Sequence, residues 1–392
     1  MSALALARIE CPDCGEEVFD LAAHCAEAHG TVREGLAPVV TERLEAAAPR
    51  RSAAPAPTDL TVKMLGVEFP VDPYVPEGAC LPKPEGYMLP TKGRAKKEHK
   101  RVLVSLARGR SVFVWGGPGT GKDAIFHAFS EDTGTPALIF TFTPGADIRK
   151  WFFARTIDSE GTGWEYGALW RALTEGVKGT DGVARPALIL FSDIDRGTPE
   201  QLEEFRLVLD TTSKRIVGPT GEVAKIMAGT RFAFTANSCG SGDPNGRMSS
   251  QSMDASLIDR MGRFVEFVSM HWDDEARILR GKFPELVERT PEIFDELGKA
   301  TASLRDAIGK RTLYAEFTHR GLCEVLSEAE DLLWCARGDS VPKGLLGNAF
   351  KAWLHRLEAD DRLIAKRLID AAITDGAVAR DDEDDDEYGY SY

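Results

Sequence analysis

The stretch VFVWGGPGTGKDAIF, residues 112–126, contains a glycine-rich loop that ends in a lysine, with the spacing G-x-x-x-x-G-K. An apolar run precedes the loop and a helical pattern follows it, so we predict a strand, a phosphate-binding loop and a helix that starts near Lys122. The backbone N–H groups of such a loop wrap phosphates, and the positive end of the helix dipole stabilises their charge. We expect Lys122 to reach the β- and γ-phosphates of ATP. The predicted ATP-binding residues are Gly116, Gly117, Pro118, Gly119, Thr120, Gly121, Lys122 and Asp123.

Asp123 occupies the position at which a phosphate loop normally carries a Ser or Thr whose hydroxyl holds Mg²⁺. The second element of such a site is an apolar strand that ends in acids, and ALILFSDID, residues 187–195, is the candidate. Here Ser192 stands in the metal-ligand position and Asp193 in the position of the acid that activates water. One hydroxyl and one carboxylate are therefore present with their places exchanged, and Mg²⁺ accepts oxygen ligands from either segment. We hypothesise a working Mg²⁺ site at Asp123 and Ser192. The alternative is a weak or inactive ATPase, because a carboxylate repels a triphosphate when no metal intervenes.

A second candidate metal site lies near the start of the chain, where CPDCGEEVFDLAAHCAEAHG has the spacing C-x2-C-x9-H-x4-H. Two thiolates on a turn and two imidazoles one helical turn apart can close a tetrahedral Zn²⁺ site. The predicted zinc ligands are Cys11, Cys14, His24 and His29. The alternative is a metal-free or redox-active cysteine pair. The segment contains five acidic residues and no Lys or Arg, so we expect it to dock a protein rather than nucleic acid.

The elements that would position these residues follow from the hydrophobic pattern. Apolar runs such as SVFVWG, ALIFTF, ALILFSD and RFAFTAN alternate with helical patterns, which predicts an α/β fold of three layers with a parallel sheet. We expect the helical patterns beyond the last of these strands to form a helical lid. One of these patterns places six apolar residues on one helical face: Leu322, Val325, Leu326, Ala329, Leu332 and Leu333. The predicted organisation is a zinc-finger segment at 1–34, an Ala/Pro-rich linker at 35–60, the α/β nucleotide-binding domain at 61–270, the lid at 271–378 and a disordered acidic tail at 379–392.

Charge and composition narrow the function classes. The formal net charge is −14, and the run DDEDDDE in the tail supplies seven of the negative charges, so bulk charge does not favour nucleic-acid binding. No apolar run approaches the ~18 residues that a membrane-spanning helix needs, and the first residues, MSALALARIE, lack the pattern of a secretory signal. Seven cysteines, an odd number, favour a reducing compartment. We therefore expect a cytoplasmic location.

Five segments together resemble those of AAA+ ATPases: GGPGTGKD, ALILFSDIDRGTPEQLEEFRLVLD, RFAFTANSCGSGD, DASLIDRMGRFVEF and EFTHRGLCEVL. Over residues 62–335 the chain is similar to the MoxR/CobS branch, which includes the small ATPase subunit of cobaltochelatase and phage-encoded relatives. The resemblance implies that Asn237 is the sensor 1 residue and that Arg320 is the sensor 2 arginine of the lid. It also implies an arginine finger, Arg260 or else the nearby Arg263, that acts on ATP held by the neighbouring subunit.

The same resemblance implies an assembly and a class of partner. A finger that acts in trans requires a ring, which in this family implies a hexamer. The implied activity is Mg-ATP hydrolysis coupled to the remodelling of a partner protein. The implied partner has a von Willebrand A domain, as CobT, the partner of CobS, does. The rival interpretations are the motor subunit of a Co or Mg chelatase and a nucleotide-binding scaffold that hydrolyses ATP slowly or not at all. A nucleic-acid translocase is disfavoured by the acidic chain.

The segment DIRKWFFARTIDSEGTGWEYGALWRAL occupies the place of the insert that faces the central pore in the MoxR branch. Its aromatic residues could therefore grip a substrate chain, or they could pack in the core. These residues are Trp151, Phe152, Phe153 and Trp164.

Overall fold

The computed structural model describes most of the chain from residue 60 to residue 373. For Asp158 and for two short strands near the start, Ile9–Glu10 and Glu17–Val18, it describes the backbone but not the side chains. The chain divides into two compact units, Met1–Ala54 and Pro55–Tyr392. The residues described in full are 60–157, 161–206, 208–209, 214–242, 250–336 and 340–373.

The described segments form strands and helices that we number in chain order. The strands are β1 Ile9–Glu10, β2 Glu17–Val18, β3 Thr61–Met64, β4 Val67–Pro70, β5 Val112–Trp115, β6 Ala137–Thr141, β7 Phe153–Asp158, β8 Gly161–Tyr166, β9 Val177–Lys178, β10 Ala184–Arg185, β11 Leu188–Ser192, β12 Arg215–Val217, β13 Val223–Lys225, β14 Arg231–Ala236 and β15 Arg263–Glu266. The α-helices are α1 Gly93–Ala107, α2 Ala124–Thr133, α3 Arg149–Phe152, α4 Ala168–Thr174, α5 Pro199–Glu203, α6 Ala255–Arg260, α7 Trp272–Lys282, α8 Pro284–Arg289, α9 Ile293–Gly309, α10 His319–Cys335, α11 Leu345–Ala349, α12 Lys351–Leu354 and α13 Ala359–Ala372.

The first unit is described only as a short antiparallel pair, in which Ile9 of β1 lies opposite Val18 of β2. In the sequence, Cys11 and Cys14 fall between these two strands. The four predicted zinc ligands themselves lie outside the described residues, as do nearly all of the predicted linker and the whole acidic tail.

The second unit is built around a five-stranded parallel sheet with the order β15-β5-β14-β11-β6. All four apolar runs singled out in the sequence are strands of this sheet, and the α/β prediction is confirmed. Every residue of β11 is buried, as expected for a strand with both faces covered. Because all five strands run in the same direction, the segments that follow β5, β11 and β14 meet at one edge. Ligands of open parallel sheets bind at that edge.

Helices cover both faces of the sheet, and alternate residues of β5 show this. Val112 and Val114 pack with α1 and α2 in one buried cluster. Phe113 faces the other way and packs in a second cluster with α4 and α5. The period of two along a strand separates these clusters and produces three layers.

Two hairpins project from the α/β part of the unit. β7 pairs with β8, and β12 pairs with β13. Phe152 is buried and Trp151 packs against the same core, so the core interpretation holds for both residues. Phe153 is half-buried against Trp164 on the β7–β8 hairpin, and Trp164 is exposed.

The last described part of the chain is helical, from α7 to α13, and has its own hydrophobic core. The predicted apolar face of α10 packs in this core: Leu322, Val325, Leu326, Ala329 and Leu333 are at most 1% exposed, and Leu332 is partly buried. In the described part of the chain, no helix combines the length and apolar character needed to cross a membrane.

Candidate functional site

The glycine-rich loop connects β5 to α2 at the carboxyl edge of the sheet. Gly116 has a φ of 153°, and a Cβ placed on it would lie 2.2 Å from the carbonyl oxygen of Phe267, so any side chain is excluded there. Lys122 Nζ folds back and donates to the carbonyl oxygens of Gly116 at 2.8 Å and Gly117 at 3.0 Å. It also donates to Asn237 Oδ1 at 3.0 Å, so the loop and the end of β14 are joined through the lysine.

Helix α2 begins at Ala124 rather than near Lys122, which corrects the predicted start by two residues. Asp123 is the N-cap residue, and its carbonyl accepts hydrogen bonds from the N–H groups of Phe126 and His127. Its side chain makes no capping hydrogen bond. The carboxylate is therefore available to the groups that approach from β11 and β14.

The loop carboxylate and the strand hydroxyl that exchange places in the sequence are in direct contact. Ser192 Oγ donates to Asp123 Oδ2 at 2.9 Å. Thr235 Oγ1, which is fully buried, donates to the other oxygen, Asp123 Oδ1, at 2.6 Å. Thr235 was not singled out in the sequence, and its only signal was a hydroxyl side chain within the apolar run of β14. The two hydroxyls hold the carboxylate of Asp123 in one orientation.

The donor set around Asp123 fits Mg²⁺. A carboxylate oxygen has two acceptor positions, so each can keep its hydroxyl partner and still bind a cation. Mg²⁺ commonly takes one or two carboxylates from the protein and completes its octahedron with phosphate oxygens and water. In the described parts of the chain there is no group of three or more His, Cys, Asp or Glu side chains that could hold a metal. The hydroxyls orient the carboxylate, and Ser192 Oγ, which donates its proton to Asp123, keeps lone pairs with which it can also bind the cation.

Asp193 lies immediately after β11 in a left-handed backbone conformation, with φ 52° and ψ 42°. Such a conformation is unusual for a residue other than glycine and occurs often at functional sites. Burial raises the pKa of the Asp193 carboxyl, and the charges of Asp123 and Asp195 raise it further against the opposing effect of Lys122. A half-buried carboxylate with a raised pKa suits a group that accepts a proton.

Asp195 is a second functional candidate that the sequence analysis did not select. It is fully buried, and its Oδ2 accepts hydrogen bonds from the backbone N–H groups of Asn237 and Ser238, both at 3.0 Å. Ser250 Oγ donates to the same oxygen. Asp195 therefore fixes the end of β14 and, through it, the position of the Asn237 side chain. Its place two residues after Asp193 was the only available signal.

Two adjacent cavities open on the loop. The larger, about 720 Å³, is lined by part of the glycine-rich loop and by four of the six predicted catalytic residues. Its polar lining includes Lys122, Asp123, Asp193, Asn237, Lys282, His319, Arg320 and Cys323. The smaller, about 150 Å³, is mainly apolar and lies between the loop and the lid, where Tyr87, Met270 and Ile278 contribute to its walls. Together the two cavities can accommodate a nucleotide, with the phosphates in the larger, polar cavity and the flat base in the smaller, apolar one.

Arg260 and Arg263 are not part of these cavities. They line a separate cavity of about 490 Å³, together with Arg110 and Lys214. Arg260 donates to the carbonyl oxygen of Ser256 within α6 at 2.8 Å and is otherwise exposed. Within one chain, therefore, the structure brings Arg320 to the loop and leaves the two finger candidates elsewhere.

Comparison with protein families finds a match for the region that contains the site. Residues 111–261 match the family described as AAA domain (dynein-related subfamily). The matched region begins just before β5 and ends just after α6, so it includes the loop, Ser192, Asp193 and Asn237. No match was found among curated proteins.

Solved structures with similar folds include a Holliday junction branch migration motor, RuvB from Thermotoga maritima. It is 12% identical, with a TM-score of 0.40, over 70% of this chain and 75% of that one. NtrX from Brucella abortus in complex with ADP is 13% identical, with a TM-score of 0.45, over 72% of this chain and 60% of that one. A putative ATPase from Cytophaga hutchinsonii is 13% identical, with a TM-score of 0.34, over 72% of this chain and 90% of that one.

Proposed function

We propose that the protein is a ring-forming ATPase that couples Mg-ATP binding and hydrolysis to the remodelling of a partner protein, because residues 111–261 match the family described as AAA domain (dynein-related subfamily). The observation that carries the proposal is the contact between Asp123 and Ser192. Two unrelated losses would rarely leave one carboxylate and one hydroxyl hydrogen-bonded at the place where the metal of such a site is expected. The exchange therefore supports a rearranged site that works.

The residues around the larger cavity have complementary roles in this proposal. Lys122 turns from the loop carbonyls to the β- and γ-phosphates when ATP binds, since its ammonium then finds stronger acceptors. Asp123 and Ser192 would hold Mg²⁺, which supplies positive charge to the phosphate oxygens. Asp193 accepts a proton from the attacking water, and Asn237, fixed by Asp195, orients that water.

The arginines contribute positive charge from two directions. Arg320 lines the same cavity from the lid and neutralises phosphate oxygens in cis. Arg260, or in its place Arg263, acts on ATP held by the neighbouring subunit. Both arginines line a cavity that is separate from the one at the loop of their own chain, which supports a role in trans. A role in trans requires a ring.

The test is Mg²⁺-dependent ATP hydrolysis by four purified proteins: the wild type, Asp123→Thr, Ser192→Asp and the double variant. We expect the wild type and the double variant to hydrolyse ATP, because each has one carboxylate and one hydroxyl at the metal. Each single variant should lose about 10²-fold or more in kcat, since the metal supplies several kcal/mol of charge stabilisation.

A nucleotide-binding scaffold is the second candidate, favoured by the carboxylate of Asp123 in the loop, because a carboxylate repels a triphosphate when no metal intervenes. The same experiment separates it from the motor. If the wild type binds ATP without hydrolysing it and only the double variant is active, Asp123 marks a lost activity and the scaffold function is correct.

We also propose that Cys11, Cys14, His24 and His29 bind zinc, supported by the β1–β2 pair that flanks the two cysteines in the sequence. We expect the purified full-length protein to contain one zinc ion per chain by elemental analysis. Cys11→Ser should remove it, whereas Cys25→Ser, which changes a cysteine outside the proposed ligand set, should not. Equal zinc content in all three proteins would contradict the assignment.

A further inference from the structure

Cys323 lies on α10 at the wall of the larger cavity, one helical turn after His319. Its Sγ is 3.7 Å from His319 Nε2, within hydrogen-bonding range for sulfur. Both side chains line the cavity beside Arg320. A thiol and an imidazole thus form a pair inside the proposed nucleotide site, in which neither has an assigned role.

A buried carboxylate supports the imidazole from the other side. His319 Nδ1 is 3.7 Å from Glu275 Oε1, and Glu275 is 2% exposed. Arg305 donates to both oxygens of Glu275, through Nη1 and through Nη2, and so fixes the carboxylate. The order Glu275, His319, Cys323 places a negative charge next to the imidazole, which stabilises its protonated form.

The electrostatics favour a thiolate beside an imidazolium. Burial lowers the pKa of His319, but the hydrogen bonds to Cys323 and Glu275 outweigh it and raise the pKa to about 9. Burial raises the pKa of the Cys323 thiol, but the hydrogen bond to His319 and the charges of His319 and Lys282 outweigh it, so the pKa is lowered. Thiolates paired with imidazolium are the reactive form of cysteine.

The other cysteines described in the structure provide internal references. Cys239 and Cys335 are exposed, whereas Cys323 is partly buried. Cys80 is also partly buried, but burial raises the pKa of its thiol and its Sγ donates to the carbonyl oxygen of Thr135. Accessibility alone would therefore make Cys239 and Cys335 react before Cys323. Thiolate character predicts the opposite order.

We propose that Cys323 is a redox modification site at which a small anionic disulfide, such as glutathione disulfide, forms a mixed disulfide that blocks nucleotide binding. The Cys323 thiolate attacks one sulfur, a new S–S bond forms to the protein, and the old S–S bond breaks. The leaving thiolate takes a proton from water, so the protein thiol is oxidised and one half of the small disulfide is reduced. Lys122, Lys282 and Arg320 line the cavity and attract the carboxylates of glutathione disulfide.

The consequence for nucleotide rests on the proposed function of the cavity. An adduct on Cys323 would lie beside Arg320 in the part of the cavity that we assign to phosphates. A glutathione moiety and a triphosphate cannot occupy that space together, since both are anionic and bulky. Reduction of the mixed disulfide would restore binding.

The first measurement tests the reactive thiol without reference to nucleotide. The full-length protein is treated with a limiting amount of glutathione disulfide at pH 7, and modified cysteines are quantified by peptide mass spectrometry. We expect Cys323 to react at least about threefold faster than Cys239 and Cys335, the net gain for each unit by which a thiol pKa falls. His319→Asn should remove this advantage. Reaction in order of exposure would overturn the proposal.

The pH dependence of the same rates distinguishes a thiolate from a merely accessible thiol. Between pH 6 and 8, the rate of a free thiol such as N-acetylcysteine, measured in parallel, should rise about tenfold per pH unit. The rate of Cys323 should rise less, because its charged neighbours keep it ionised. The groups that face it are His319 on its own helix, Glu275 and Lys282 on α7, and Arg305 through Glu275. A tenfold rise for Cys323 as well would also overturn the proposal.

The second measurement is the binding of a fluorescent ATP analogue before and after glutathionylation. We expect modification to abolish binding in the wild type and dithiothreitol to restore it, whereas the affinity of Cys323→Ser, whatever its starting value, should be the same before and after the treatment. Unchanged binding by protein modified at Cys323 would overturn the regulatory proposal. If the untreated wild type binds no analogue, the proposed function fails. The rate measurements would still test whether Cys323 is a reactive thiol.

Discussion

At the residue scale, the central feature is a carboxylate held by two hydroxyls. The exchange of Asp123 and Ser192 was predicted from their positions relative to the glycine-rich loop and the apolar strand. The contribution of Thr235 was not, because a threonine in a buried strand is also consistent with ordinary packing. The structure shows that Thr235 contacts Asp123 more closely than Ser192 does, 2.6 Å against 2.9 Å.

Thr235→Val tests whether the second hydroxyl positions Asp123. The change preserves shape and removes one hydrogen bond to a carboxylate, which is worth about 1.5–3 kcal/mol. We expect a fall in kcat/KM of about tenfold or more and a rise in the Mg²⁺ concentration needed for half-maximal activity. Both are measured by ATP hydrolysis at varied Mg²⁺.

The matched control is Thr301→Val, since Thr301 is also buried and its hydroxyl donates only to the carbonyl oxygen of Leu297 within α9. This variant should keep the wild-type Mg²⁺ dependence. A change of the same size in both variants would show that loss of a buried hydroxyl, rather than release of Asp123, causes the effect.

At the element scale, α7 connects the helical lid to the start of α1. Asp274 on α7 is 2% exposed and accepts hydrogen bonds from the N–H and hydroxyl of Thr91 and from the N–H of Lys92. Asp274 thereby accepts hydrogen bonds from the two N–H groups that immediately precede α1. The N-cap residue of α1 makes no side-chain capping hydrogen bond. The next residue, Glu275, points to His319, so two consecutive carboxylates bind α7 to α1 on one side and to α10 on the other.

Asp274→Ala should destabilise the fold, because it leaves two backbone N–H groups and a hydroxyl without their acceptor. We expect a loss of about 2–3 kcal/mol in the free energy of unfolding, measured by urea denaturation. The matched control is Asp273→Ala on the same helix. Asp273 is exposed and forms a surface ion pair with Lys92, which contributes little. A urea midpoint that falls equally in both variants would contradict the proposed role of Asp274.

At the scale of the whole molecule, one chain brings all the predicted catalytic residues to the proposed site except the two candidate finger arginines. Arg320 lines the cavity of its own chain, whereas Arg260 and Arg263 line a different one. A ring in which each chain presents the second cavity to its neighbour would complete every site. The proposal of trans action therefore belongs to the assembly and can be tested by mixing subunits.

Lys122→Ala and Arg260→Ala should each abolish hydrolysis when purified alone, for different reasons. In an equimolar mixture, about a quarter of the interfaces would combine an intact Lys122 with an intact Arg260 of the neighbour, since each is present with a probability of about one half. We expect ATP hydrolysis to return in the mixture. If Arg263 is the finger, the Lys122→Ala and Arg263→Ala pair restores activity instead, and no recovery with either pair would contradict trans action.

Several elements of this protein could be predicted from the sequence because they depend on local order. The spacing of glycines and lysine predicted the loop, continuous apolar runs predicted buried parallel strands, and the period of apolar residues predicted the buried face of α10. These features are readable because a turn, a strand or a helix is specified by residues close together in the chain.

Contacts between side chains that are distant in the sequence could be identified only from the tertiary structure. Thr235 is 112 positions from Asp123, and Glu275 lies on a different helix from His319 and Cys323. Their contacts depend on the strand order β14-β11 beside β5 and on how α7 packs against α10, which periodicity does not encode. The hydroxyl pair at Asp123, the anchoring of Asn237 by Asp195 and the thiol at the cavity therefore became visible only when the strands and helices were in place.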